Sequence, residues 1–238
     1  MKIKEEMIKL KENSDKKCNL SILFATIILF VYCYFGSYSF FENTFNVVDL
    51  NFWKIIYHNT MAFVLFFGLG LIFTKFIMKQ PFSKFGLKKG DYKLGLKLMG
   101  VATIIVPLLA LSTLLDKGMT STYPLIDFTT HSTWWQIGLY FLSYILYYIG
   151  WEYLFRGILL FGTKEKIGTM GTILLTTLIS ALIHTSIAGF GKPMIETLSA
   201  IPAGLIFAYI TNKTDSIYYS LYIHALVGIL TDIFIFLI

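Results

Sequence analysis

Along the chain, apolar residues gather into long runs separated by short polar stretches. A helix needs about 20 mostly apolar residues to cross a bilayer. Seven runs approach or pass that length, at about 20–41, 53–77, 93–115, 135–162, 168–188, 195–212 and 216–237. The expected fold is all-α, a polytopic membrane helix bundle of about seven transmembrane helices. The pattern reads as one transmembrane domain over 1–238, with 1–19 as a cytoplasmic tail and 135–237 as the core of motif-bearing helices. The first run is too long for a signal-peptide core and is expected to stay as an anchor. Ahead of it, Ile3, Met7 and Leu10 recur at helical spacing. That segment is either a short helix lying on the inner leaflet or a solvated tail. The connection 79–93 is the one sizeable inner loop, and no internal repeat is visible.

Composition strengthens this reading. Hydrophobic residues make up 56% of the chain and charged residues 14%, against about 25% charged in soluble domains. A soluble fold would lack the polar residues to cover its surface. The net charge of +6 invites a nucleic-acid reading, but the placement of the lysines argues against it. Sixteen of the 19 Lys fall in 1–19, 75–97, the 164–166 connection and position 213, and only Lys54, Lys117 and Lys192 fall elsewhere. Such asymmetry sets membrane orientation. It predicts a cytoplasmic N-terminus and an outer C-terminus, with membrane lipids as partners and no nucleic acid. Trp53, Trp134 and Trp135 stand at expected outer ends, where indole rings favour the interface. Cys18 and Cys33 have no spacing for a disulfide framework or a metal site, and both read as inert.

The informative residues are ionisable ones inside apolar runs. Each costs at least about 2.5–3.5 kcal/mol at a helix centre unless paired or facing a cavity. Glu152 and Arg156 are four apart in Gly150-Trp151-Glu152-Tyr153-Leu154-Phe155-Arg156-Gly157, so they share a helix face and can pair. Arg156 is the single Arg, a fork that stays charged when desolvated. His184 lies near the end of the fifth run, in Ile183-His184-Thr185-Ser186, and His224 within the last. Glu196 follows Gly191-Lys192-Pro193 and fits either a first-turn carboxylate favoured by the helix dipole or a further site residue near His184. Asp232, eight residues after His224, reads as a pair with a neighbouring span, an interfacial group or a further site residue. His58 and His131 read as interfacial and non-functional. Two imidazoles and a carboxylate leave two chemistries open. One is a divalent metal such as zinc held by His184, His224 and Glu152. The other is metal-free, with Glu152 as general base on a water and a His steadying the oxyanion. Straight helices would leave Glu152 and His224 toward the cytoplasmic half and His184 and Glu196 toward the outer half. Gly150 and Pro193 are the places where the backbone could adjust.

The order Glu-x-x-x-Arg, then His, then His on three late spans resembles the CPBP family, the type II CAAX-prenyl-protease-like intramembrane endopeptidases. The resemblance covers about 135–232, and Phe85-Gly86-Leu87-Lys88-Lys89-Gly90-Asp91 is similar to a family element before the third span. It implies cleavage near prenylated C-termini, or processing of or immunity to bacteriocin peptides. Catalytic roles would fall on Glu152, Arg156, His184 and His224. Three positions depart from the family pattern: Trp151 replaces the first of two adjacent Glu, Ser180 a Phe, and Gly228 an Asn or Asp. A Trp-Glu-x-x-x-Arg-Gly variety with a Gly-Lys-Pro-x-x-Glu element is similar to this chain and implies a distinct subgroup.

Two classes of function follow. The first is an intramembrane endopeptidase acting on a peptide or lipid-modified protein in a bacterial inner membrane. The second is a catalytically silent relative that binds a peptide, confers immunity or acts as a scaffold, a reading suggested by Trp151. A transporter would be expected to carry the internal repeat that is missing here.

Overall fold

The computed structural model describes the backbone of residues 2–185 and 191–238 and side chains from residue 11 onward. The side chains of Ile3, Met7 and Leu10, and Ser186, therefore lie outside the described residues. The chain is all-helical, 82% helix, and no strand occurs among the described residues. In order come α1 (Lys2–Phe35), α2 (Tyr38–Thr44), α3 (Leu50–Ala62), α4 (Leu69–Ile72), α5 (Tyr92–Ser112) and α6 (Lys117–Thr122). They are followed by α7 (Trp134–Glu152), α8 (Leu160–Leu182), α9 (Met194–Thr214) and α10 (Tyr218–Phe236). Four helix starts are fixed by side-chain caps, in which Ser37, Asp49, Asp91 and Asp116 accept from backbone N–H groups three residues on.

Among the described residues, five helices are long and apolar enough to cross a membrane: Lys11–Phe35, Leu50–Ile77, Tyr92–Leu115, Met194–Thr214 and Tyr218–Phe236. They match the first, second, third, sixth and seventh expected runs. The first ends at Phe35 rather than 41, because the chain turns at Gly36 into the short α2. The fourth and fifth runs are also helical, but their tyrosines, threonines and the Lys164-Glu165-Lys166 charges lower their apolarity. They form a hairpin rather than one rod. Gly168 adopts φ 77° and ψ 168° inside α8, and Thr172 Oγ1 donates to Leu160 O at 3.1 Å. Residues 12 apart in a straight helix would be about 18 Å apart, so the chain reverses at Gly168.

The Lys-rich segments collect at one end of the bundle. Lys17 pairs with Glu165 at 3.0 Å, and Asp15 with Lys166. Lys17 also lies 5.9 Å from the centre of the Phe85 ring. The 79–93 connection is more than a tether. It contains a 3-10 turn, Phe82–Phe85, whose Phe85 is fully buried. It then docks on the turn before α10 through Asp91 N–H to Thr214 O at 2.8 Å and Ile217 N–H to Gly86 O at 3.1 Å.

The interior packs around the end of α7. Trp151, Leu154, Phe155 and Leu159 meet Tyr32 of α1 and Phe66. Gly150 is a crossing point rather than a hinge. A Cβ there would stand 2.6 Å from the Ala62 carbonyl oxygen, so only glycine admits the helix that close.

Candidate active site

The hairpin at Gly168 sets the height of the site. Glu152 lies sixteen residues before it and His184 sixteen after it, about 24 Å along each arm. The two arms therefore present them at similar depth. Trp151 and His184 meet edge to face with ring centroids 5.7 Å apart. The separation into cytoplasmic and outer halves assumed straight spans, with the fifth running to 188; that helix ends at Leu182, and just beyond it the His184 ring meets Trp151 of α7.

Directly after Glu152 the helix widens into a π-helical segment, Tyr153–Leu159. Such segments are rare and frequent at functional sites. Its Arg156 lies 3.2 Å from Glu152 Oε1, and both side chains are buried. The guanidinium also stands 5.6 Å from the Phe207 ring centre of α9. From α10, His224 Nδ1 comes 2.8 Å from the same Glu152 oxygen. A carboxylate accepts, so Nδ1 carries the proton and Nε2 keeps its lone pair. His184 is held the same way, with Nδ1–H donating to Ser180 O at 2.7 Å.

Both imidazoles line one cavity of about 50 Å³, together with Trp151, Tyr144, Tyr148 and Glu196. Glu152 and Arg156 stand behind this wall. Glu196 joins the wall from the first turn of α9 and accepts from the Tyr123 hydroxyl at 2.8 Å. Its neighbour Thr197 donates to His184 O at 3.3 Å. The structure thus brings together Glu152, Arg156 and His224 as a contact cluster, and His184, His224 and Glu196 around the cavity. Asp232 is apart from both. It is buried on α10 and accepts from the Tyr140 hydroxyl of α7.

His58 and Lys192 are among the cavity-wall residues that escaped the sequence reading. His58 is buried, not interfacial, and reaches the cavity with Nδ1–H donating to Gly36 O at 2.7 Å and Nε2 2.8 Å from the Tyr32 hydroxyl. The signal was the polar pair His58-Asn59 inside an apolar run. Lys192 donates to Tyr123 Oη at 2.6 Å. His131 is likewise not a free interfacial ring, because it pairs with Asp49 at 2.8 Å.

A tetrahedral zinc site needs three protein donors around one point about 2.0–2.2 Å away. Among the described residues no three His, Cys, Asp or Glu side chains are so grouped. Glu152 Oε1 is already taken by His224 and Arg156. The residues as placed do not fit the ion.

Taken together, fold and site define a multi-pass membrane protein with a polar, imidazole-lined cavity inside its bundle. Residues 133–230 match the family model described as Type II CAAX prenyl endopeptidase Rce1-like, which bears out the resemblance to the CPBP family. At family level the match supports a membrane protease of CAAX type whose substrate is a peptide or protein. No curated protein and no solved structure matches the chain.

Proposed function

We propose that the chain hydrolyses a peptide bond in a membrane-associated or prenylated peptide, with water activated at the Glu152–His224 pair. The observation that carries this reading is the 2.8 Å contact between Glu152 Oε1 and His224 Nδ1, behind a cavity wall on which His224 and His184 both lie. Glu152 itself is wholly buried, so it acts through the imidazole. His224 Nε2 takes the proton of a water as the oxygen attacks the carbonyl, and returns it to the leaving amine. Glu152 fixes the tautomer and balances the transient imidazolium, and Arg156 orients Glu152. His184, whose Nδ1–H is spent on Ser180 O, keeps its Nε2 lone pair and accepts from the same water, fixing its approach. The Lys-rich end faces the cytoplasm of a bacterial inner membrane in this reading, with the N-terminus inside.

The test uses the full chain in nanodiscs with quenched-fluorescent peptides, farnesylated and unmodified, read by mass spectrometry. Cleavage by the natural chain is expected to fall by roughly 10²–10⁴-fold in His224→Gln and to be lost in His184→Ala, with folded yields near wild type. Full retention of cleavage by His224→Gln, or a natural chain that cleaves neither peptide, would overturn the reading.

A further inference from the structure

A second cavity, of about 160 Å³, adjoins the first and shares Tyr38, His58, Leu125 and Lys192 with it. It sits at the end of the bundle opposite the Lys-rich connections, walled by the end of α1, the turn into α2, Thr122 and Gly191. Its lining is unlike a lipid-facing groove. Every lining residue except Leu125 and Gly191 carries a hydroxyl, thiol, imidazole or ammonium group, and none is a carboxylate. Each is roomy enough for water, and the larger has about three times the volume of the smaller. Peptide-bond hydrolysis adds one water across the C–N bond, so a site inside a bilayer needs a polar route to bulk solvent.

We infer that the larger cavity is a hydrated vestibule through which water reaches the His184–His224 cavity, across a partition formed by Tyr38, His58, Leu125 and Lys192. The inference rests on the hydrolytic reading for its purpose and on the two linings for its existence. Cys33 lies on the vestibule wall, whereas Cys18 is 4% exposed and lines neither room. The chain therefore carries its own reporter and its own control.

The experiment treats the natural chain in phosphatidylcholine nanodiscs with a permanently charged methanethiosulfonate and maps the modified peptides by mass spectrometry. Cys33 is expected to react at least about tenfold faster than Cys18, since thiol reactivity follows access to solvent. Equal rates would overturn the vestibule. The partition is tested with Ile183→Cys as reporter, because Ile183 lines the smaller cavity. Labelling at 183 is expected to be at least about tenfold slower when Cys33→Trp fills the vestibule than when Cys33→Ala leaves it open. Equal rates in two monodisperse variants would separate the cavities. Neither readout involves cleavage. An inert chain with a reactive Cys33 would remove the hydrolytic reading and keep the vestibule, and an active chain with a silent Cys33 would do the reverse.

Discussion

Gly228 of α10 lies so close to Tyr148 of α7 that a Cβ at 228 would overlap the tyrosine hydroxyl, with the Tyr144 hydroxyl 3.2 Å away. The contact sits one turn beyond His224, whose ring centroid is 4.6 Å from that of Tyr148. The two tyrosine hydroxyls thus occupy the space that an Asn or Asp at 228 would fill. Gly228→Ala is expected to destabilise by about 1–3 kcal/mol through overpacking. Adding Tyr148→Phe removes the clashing oxygen and should restore part of the loss, because the ring carbon that bore it would still stand 2.8 Å from the new Cβ. Thermal unfolding of the single and double variants in detergent measures this, and additive effects would refute the contact.

The Glu152–Arg156 pair gives a second prediction. Both groups are buried at 3.2 Å, so removing one strands the other. Arg156→Met is expected to cost about 3–5 kcal/mol, and Glu152→Gln/Arg156→Met much less, because no unpaired charge remains. A double variant no more stable than Arg156→Met would mean that the pair does not carry the energy. The same reasoning makes His224→Gln a cleaner probe of activity than Glu152→Gln.

Much of the bundle was legible because bilayer thickness imposes a length on apolar runs. The pairing of Glu152 with Arg156 followed from helical spacing alone. Its link to His224 needed α10 to pack beside α7, which no local pattern encodes. The hairpin at Gly168 was hidden as an ordinary connection, and so was the shared depth of Trp151 and His184. His58 was misread because its partners, the Tyr32 hydroxyl near the end of α1 and Gly36 O in the turn after it, lie more than twenty residues away. The π-helical segment after Glu152 left no composition signal.

Trp151 fills the position next to Glu152 with an indole that stacks on Tyr147 at 5.4 Å and is 2% exposed. Trp151→Ala is expected to cost about 3–5 kcal/mol and to join the new void to the small cavity beside His184. Differential scanning fluorimetry reads the stability, and a gain in Ile183→Cys labelling reads the enlargement. Stability within error of wild type would show that the indole is not a core residue.

The last prediction concerns pH, at a site outside the spans. His131 precedes α7, and Asp49 caps α3. Their contact at 2.8 Å ties the loop to that helix. Burial pulls the His131 imidazole down, but its hydrogen bond to Asp49 and that to the Asp127 carbonyl outweigh it, so the group titrates above its ordinary value. A raised value in the folded state means that the folded chain holds the proton more tightly than the unfolded one. The stabilisation is therefore fully present below about pH 6.5, the ordinary value, and disappears as pH rises through the raised one. The difference in melting temperature between the natural chain and His131→Asn should be larger at about pH 5.5 than at about pH 8.5. Subtracting the two chains removes the titrations they share. A difference that grows with pH would reverse the sign and show that the ring is held neutral.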